Sequence, residues 1–82
     1  MTRVITTAVQ LGKVIQESRK KQNLTQGKLA AACGVGVRFI VDLERGKETA
    51  ELGKTLKVIK MLGIEIKVNV PIGNDVVASV CL

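Results

Sequence analysis

Glycine punctuates the 82-residue chain at 34, 46 and 63, and beyond the last of these its apolar residues change period. Up to Gly63 they recur every three or four positions, the spacing of an amphipathic helix. After it Ile64, Ile66, Val68 and Val70 alternate strictly with Glu65, Lys67 and Asn69 before Pro71, the spacing of a half-buried strand. A glycine just past a periodic run stops a helix, because it takes the left-handed conformation without steric cost. The chain is thereby limited to several short helices followed by one strand.

Thr7, followed three residues later by Gln10, reads as a capping box that opens a first helix over roughly 8–22. Its apolar stripe is Leu11, Val14 and Ile15, continued on the same face by Ser18, Arg19 and Gln22. Thr25 can cap a second helix that runs through Cys33, with Leu29, Ala30 and Cys33 inward and Gly34 as its stop. A third is predicted over Val37 to Arg45, ending at Gly46. At 100° per residue, Gly36, Phe39, Ile40 and Leu43 fall on one side, and Val37, Arg38, Val41, Asp42 and Arg45 on the other. After a polar loop from Lys47 to Glu51, a fourth helix shows Leu52, Leu56, Ile59 and Leu62 as its inward positions. Gly12, Gly27 and Gly53 lie within or near these helices, each costing about 0.8–1 kcal/mol relative to alanine in a helix interior. A marginal monomer is expected. The units predicted are a helical domain over 1–63, a strand over 64–71 and an apolar tail over 72–82, within which the order of Val76 to Leu82 stays open.

So short a chain buries a modest core and often needs outside support. Metal is not expected, because the sequence has no histidine and its two cysteines, Cys33 and Cys81, lack zinc-ligand spacing. A disulfide is not expected either, since Cys33 sits in an apolar helical pattern where a small buried thiol is ordinary. No cofactor is indicated. Without histidine, and with neither cysteine beside a base, an enzyme is the weakest class. A partner subunit is the expected support, and a homodimer the expected state. The net charge of +6 and pI near 9.8 suit phosphate, an acidic protein or an anionic membrane, or simply a solvated basic surface. No apolar run approaches the roughly 18 residues of a membrane-spanning helix, and the N-terminus has no signal-peptide pattern. Cys81 is not fourth from the end, as a prenylation box requires. No membrane association and a cytoplasmic location are expected.

Two short helices joined by the tight Gly34-Val35 turn form a helix-turn-helix, whose second helix is narrow enough for the DNA major groove. Val37 and Val41 lie one turn apart on the outer face, where contact with thymine methyls would explain them; a small exposed apolar pair is the alternative. Arg38 can reach guanine O6 and N7 with two donors, or remain solvated or bound to phosphate. Asp42 either accepts from a cytosine amino group or pairs with Arg38 four residues before it. Lys13, Lys28, Arg45 and Lys47 are candidates for phosphate contacts or for plain solvated surface.

From about Leu11 to Ile66 the sequence resembles the phage-repressor-like (Xre/Cro/C1) helix-turn-helix family. It is most similar to the HipB-type antitoxin branch in Arg38-Phe39-Ile40, in Leu43-Glu44-Arg45-Gly46-Lys47, and in Leu62-Gly63 running straight into a strand. The resemblance implies a mainly α, four- to five-helix, lambda-repressor-like domain followed by a C-terminal β-strand that pairs across a dimer. It implies a DNA-binding transcriptional repressor on an inverted-repeat operator, acting as the autoregulating antitoxin of a HipA-like kinase toxin. A stand-alone phage-type or metabolic repressor, and an interaction module without DNA binding, are the alternatives. By the same resemblance Thr25 and Gln26, at the start of the second helix, contact phosphate. Gly36 stands where many relatives carry a polar residue, so the backbone there can come closer to a base pair. Arg19 and Glu44 match positions that form a salt bridge between the first and third helices in phage repressors. Ile64, Ile66, Val68 and Val70 would face the dimer.

Overall fold

The computed structural model describes residues 2–72, which form four helices: α1 (Ala8–Lys21), α2 (Gln26–Cys33), α3 (Val37–Glu44) and α4 (Leu52–Met61). Thr7 Oγ1 accepts from the Gln10 N–H at 3.1 Å while Gln10 Oε1 accepts from the Thr7 N–H at 3.2 Å, which closes the capping box. At the start of α2, Thr25 Oγ1 accepts from the Lys28 N–H at 3.0 Å.

All four helices end in the same way. A left-handed residue, Asn23, Gly34, Gly46 or Gly63, precedes an N–H that reaches back to the carbonyl five residues earlier. These bonds run from Leu24 to Arg19, Val35 to Ala30, Lys47 to Asp42 and Ile64 to Ile59, each close to 3.0 or 3.1 Å, and they satisfy carbonyls that a helix end otherwise leaves open. α1 and α3 each stop one residue short of the sequence expectation, a difference within the fraying of helix ends.

Ile15, Leu29, Ile40 and Val58 are fully buried, with Ala30, Cys33, Leu43, Ile59 and Leu62 packed around them. α3 lies against α1 and α2, and α4 against α2. Burial pushes the Cys33 thiol up, which keeps it protonated and inert in the core. The crossing of α1 over α3 is tight: a Cβ on Gly12 would stand 2.5 Å from the Leu43 carbonyl oxygen and 2.7 Å from that of Glu44.

One expectation, the inward face of α4, needs correction. The inward face of α4 is Thr55, Val58, Ile59 and Leu62, whereas Leu52 and Leu56 are exposed. A threonine can take an inward position because its hydroxyl donates to the Glu51 carbonyl at 2.8 Å, which hides its polar atom. Residues 64–70 carry no β-ladder in the single chain, among the described residues; the strand expected there is one that a second copy completes. A strand exists only as part of a ladder, and among the described residues no segment is hydrogen-bonded to this one as a ladder. Ile64 packs against the core, but Ile66 is half exposed and Val68, Val70 and Ile72 are 77%, 66% and 95% exposed. Val76 to Leu82 lies outside the described residues. Among those residues no helix is long and apolar enough to cross a membrane.

Candidate nucleic-acid interface

α2 and α3 meet through Leu29, Ala30 and Cys33 on one side and Ile40 and Leu43 on the other. The Gly34 turn between them, with φ +69°, is left-handed and brings the second helix back across the first. Packing α3 inward in this way leaves its opposite side to solvent.

Behind the bracket lies a buried polar network. Arg19 Nε donates to Glu44 Oε2 at 2.6 Å and Nη2 donates to Oε1 at 3.0 Å, with the two side chains 9% and 2% exposed. The third guanidinium nitrogen, Nη1, donates to the Leu24 carbonyl at 2.8 Å. Gln26 Nε2 donates to Glu44 Oε1 at 3.1 Å. One carboxylate thus ties α1, the start of α2 and the end of α3, while Arg19 also fastens the loop between the first two. Hydrogen bonding to Glu44 raises the Arg19 pKa above its already high ordinary value, outweighing the opposing desolvation. Bidentate geometry and the added bonds are what make such a buried pair tenable. Among the described residues no buried side-chain nitrogen or oxygen lacks a partner.

Val37 and Arg38 are exposed on the outer face, and Val41 and Asp42 are partly covered there; Gly36, which helical phase put on the side of Phe39, Ile40 and Leu43, is instead exposed, because as the N-cap it lies outside the helix whose phase was counted. Val37 is 49% exposed, so half its apolar surface faces water. Gly36 caps α3 without a side-chain hydrogen bond, and a Cβ there would meet nothing within 4 Å. Arg38 Nε stands 3.2 Å from Asp42 Oδ1, and Lys47 Nζ stands 3.7 Å from Asp42 Oδ2. Asp42 therefore sits between two cations of its own chain.

The phosphate candidates divide. Thr25 uses its hydroxyl to cap α2, and Gln26 has one amide hydrogen engaged by Glu44, which leaves the other. Lys13, Lys28, Arg45 and Lys47 are exposed. Sequence spacing gives no sign that Gln26 joins the Arg19–Glu44 pair, because the link crosses the core between residues far apart in the chain. Two further contacts went unread. Gln22 Nε2 donates to the Leu62 carbonyl at 2.8 Å and clasps the ends of α1 and α4, and Arg3 pairs with Glu17 at 2.8 Å across the start of the chain. For Gln22 a signal did exist: a polar residue continuing the face of Leu11, Ile15 and Arg19 needs a polar partner.

A helix-turn-helix family model matches residues 15–68, two-thirds of the chain and all of this bracket. The chain belongs to the Xre/Cro/C1-like helix-turn-helix family. Among its relatives, the uncharacterised HTH-type transcriptional regulator y4mF of Sinorhizobium fredii is 48% identical over 71 residues, spanning 87% of this helix-turn-helix chain and 93% of that protein. Control protein C.BamHI of Bacillus amyloliquefaciens is 38% identical over 55 residues, 67% of this chain and 68% of that one. In solved structures, a chain of the HipA–HipB–O2–O3 complex superposes with a TM-score of 0.77 over 83% of this chain and 96% of its own, at 20% identity. A chain of a HipB–O4 20mer complex does so with a TM-score of 0.76 at the same identity. At that identity the likeness establishes the fold, a mainly α helix-turn-helix domain of the HipB kind.

Proposed function

We propose that this chain is a sequence-specific DNA-binding transcriptional repressor that acts as a cytoplasmic homodimer and serves as the autoregulating antitoxin of a HipA-like kinase toxin. The observation that carries the DNA reading is the outer face of α3, where Gly36, Val37 and Arg38 stand exposed on a helix packed firmly from behind. A scaffold has no use for a half-exposed valine beside an arginine there, whereas a major groove offers thymine methyls to one and guanine acceptors to the other. Val41 completes the base-facing set, and Asp42 lies within it paired with Arg38. Thr25, Gln26, Lys28, Arg45 and Lys47 are assigned to phosphate, and the net charge of +6 favours the encounter.

The dimer forms through residues 64–71, distinct in role from the helical domain 1–63. The strands of two copies pair antiparallel across a two-fold axis, with Ile64, Ile66, Val68 and Val70 covering the fourth helices. Half-sites then lie one helical turn, about 34 Å, apart on an inverted repeat. The HipB fold supports the antitoxin reading. The second reading is a stand-alone phage-type or metabolic repressor, and the 38% identity to a protein named as a control protein is what supports it.

The test is fluorescence anisotropy on duplexes from the chain's own upstream region, across a salt series, repeated with the product of the neighbouring reading frame. Affinity should fall steeply and log-linearly with salt. No binding to any duplex, or salt-independent binding, overturns the DNA reading. Failure of a kinase-like neighbour to join the complex decides for the stand-alone repressor.

A further inference from the structure

We propose that Asp42 is a positioning residue for base recognition: by holding Arg38 at Nε it aims the two terminal amino groups of Arg38 at one guanine. The inference rests on the DNA-binding reading above and names the base that this part of the interface reads.

Geometry carries it. Arg38 is 81% exposed along its side chain, and a long exposed arginine samples many rotamers, each of which must be given up on binding. Asp42 lies one turn further along α3, its side chain only 22% exposed, and its Oδ1 meets Arg38 at Nε. The guanidinium is planar and rigid, so a carboxylate at Nε occupies its inner edge and leaves the outer edge formed by Nη1 and Nη2 to donate elsewhere. That edge is the one that matches the O6 and N7 acceptors of guanine with two parallel bonds. Held at Nη, the same arginine would keep its Nε–Nη edge, a second pair of donors that points in a different direction.

The carboxylate is itself restrained. Lys47 approaches its other oxygen, Oδ2, at 3.7 Å, and the Lys47 N–H bonds the Asp42 carbonyl at 3.0 Å where α3 ends. Asp42 is thus placed from both sides, with one oxygen for each cation. Its charge also has a cost to binding that a merely structural residue would not need, because a carboxylate on this face repels phosphate. An aspartate kept at such a place acts against general DNA affinity and in favour of discrimination.

The experiment uses the full chain. A site is first selected from a random 20-base-pair duplex pool, and each base pair of it is then substituted in turn and measured by anisotropy, with a scrambled duplex as the non-specific probe. Asp42→Ala places the best helix former at a partly exposed position and leaves the backbone bond from Lys47 in place, so the variant folds; a melting curve checks this. Wild type should prefer guanine at one position per half-site by about 10- to 100-fold. Asp42→Ala should flatten that preference toward the level of Arg38→Ala while binding the scrambled duplex at least as tightly as wild type. In an Arg38→Ala background, Asp42→Ala should change no base preference at all.

Full guanine preference in Asp42→Ala overturns the proposal and leaves DNA binding standing. An equal loss on every duplex, or an altered preference in the Arg38→Ala background, overturns it as well, since Asp42 then does not act through Arg38. A wild type that binds no duplex removes the reading beneath it.

Discussion

Residues 8–63 and residues 64–72 are both rich in branched apolar side chains, yet they treat them in opposite ways. In the helical part Ile15, Leu29, Ile40 and Val58 are wholly buried and the C-terminal end of every helix is closed by its own backbone bonds. In the segment that follows, one apolar side chain, Ile64, reaches the core, and among the others exposure is highest at Val68, Val70 and Ile72. The difference lies in what each period can do alone. Helices satisfy their backbone internally and need only one covered stripe, whereas an extended segment leaves both its hydrogen bonds and its apolar face to be met from outside. Four packed helices complete the first region. The second is completed by whatever pairs with it.

The sharpest way to break this contrast is Val68→Pro. Proline removes one ladder donor and fits no central strand, yet at a side chain 77% exposed it should leave the melting of the helical part unchanged. If two copies pair here, sedimentation should show a monomer and operator affinity should fall by about 10²- to 10⁴-fold, because two half-sites can no longer be gripped together. A wild-type monomer, or full affinity in the variant, would mean that the apolar face of the segment has another purpose.

Glu44→Ala attacks the other side of the comparison. With Glu44 2% and Arg19 9% exposed, the pair needs no discount for solvent, and removing one partner leaves a buried guanidinium without its charge. A loss of about 3–5 kcal/mol is expected in urea unfolding. Gln26 also loses its acceptor, so the start of α2 should exchange its amide hydrogens faster than the rest of the helix. A variant with wild-type stability would show the network to be dispensable.

How much of this could be read in the chain depends on the range of the interaction. Gly34, Gly46 and Gly63 mark helix ends in the sequence because the left-handed turn is decided by backbone sterics at one residue. Asn23 makes the same turn but is common in other settings too, so it gives no comparable signal. In α4 residue type alone misleads: Leu52 and Leu56 face water, and Thr55 is buried because its hydroxyl has an acceptor one turn back. In the candidate site, the outer face of α3 follows from helical phase alone. The bond from Gln26 to Glu44 does not, since it exists only after three helices have met. Nor does the grip of Asp42 on Lys47 follow from phase, because it depends on how the chain turns beyond α3.

The smallest expected effects come from the helical glycines, which the sequence presents as equal costs and the structure separates. Replacing Gly53 by alanine introduces a methyl whose nearest neighbour is the Glu51 carboxylate at 4.0 Å, in open surroundings at the first turn of α4. Gly53→Ala should therefore stabilise the chain, by no more than about 1 kcal/mol. At Gly12 the same methyl would meet the carbonyl oxygens of Leu43 and Glu44 at 2.5 and 2.7 Å, closer than real contacts allow. Those atoms are backbone at the end of α3 and cannot rotate aside, so α1 must move off α3 and loosen the packing of Ile15 and Leu43. Overpacking costs about 1–3 kcal/mol, against a propensity gain of at most about 1, so Gly12→Ala should destabilise by about 1–2 kcal/mol. Thermal melts of the two variants side by side decide the matter. Opposite signs mean that one glycine is required by the crossing and the other only tolerated, whereas two stabilised variants would mean that α1 and α3 have room to part without loss.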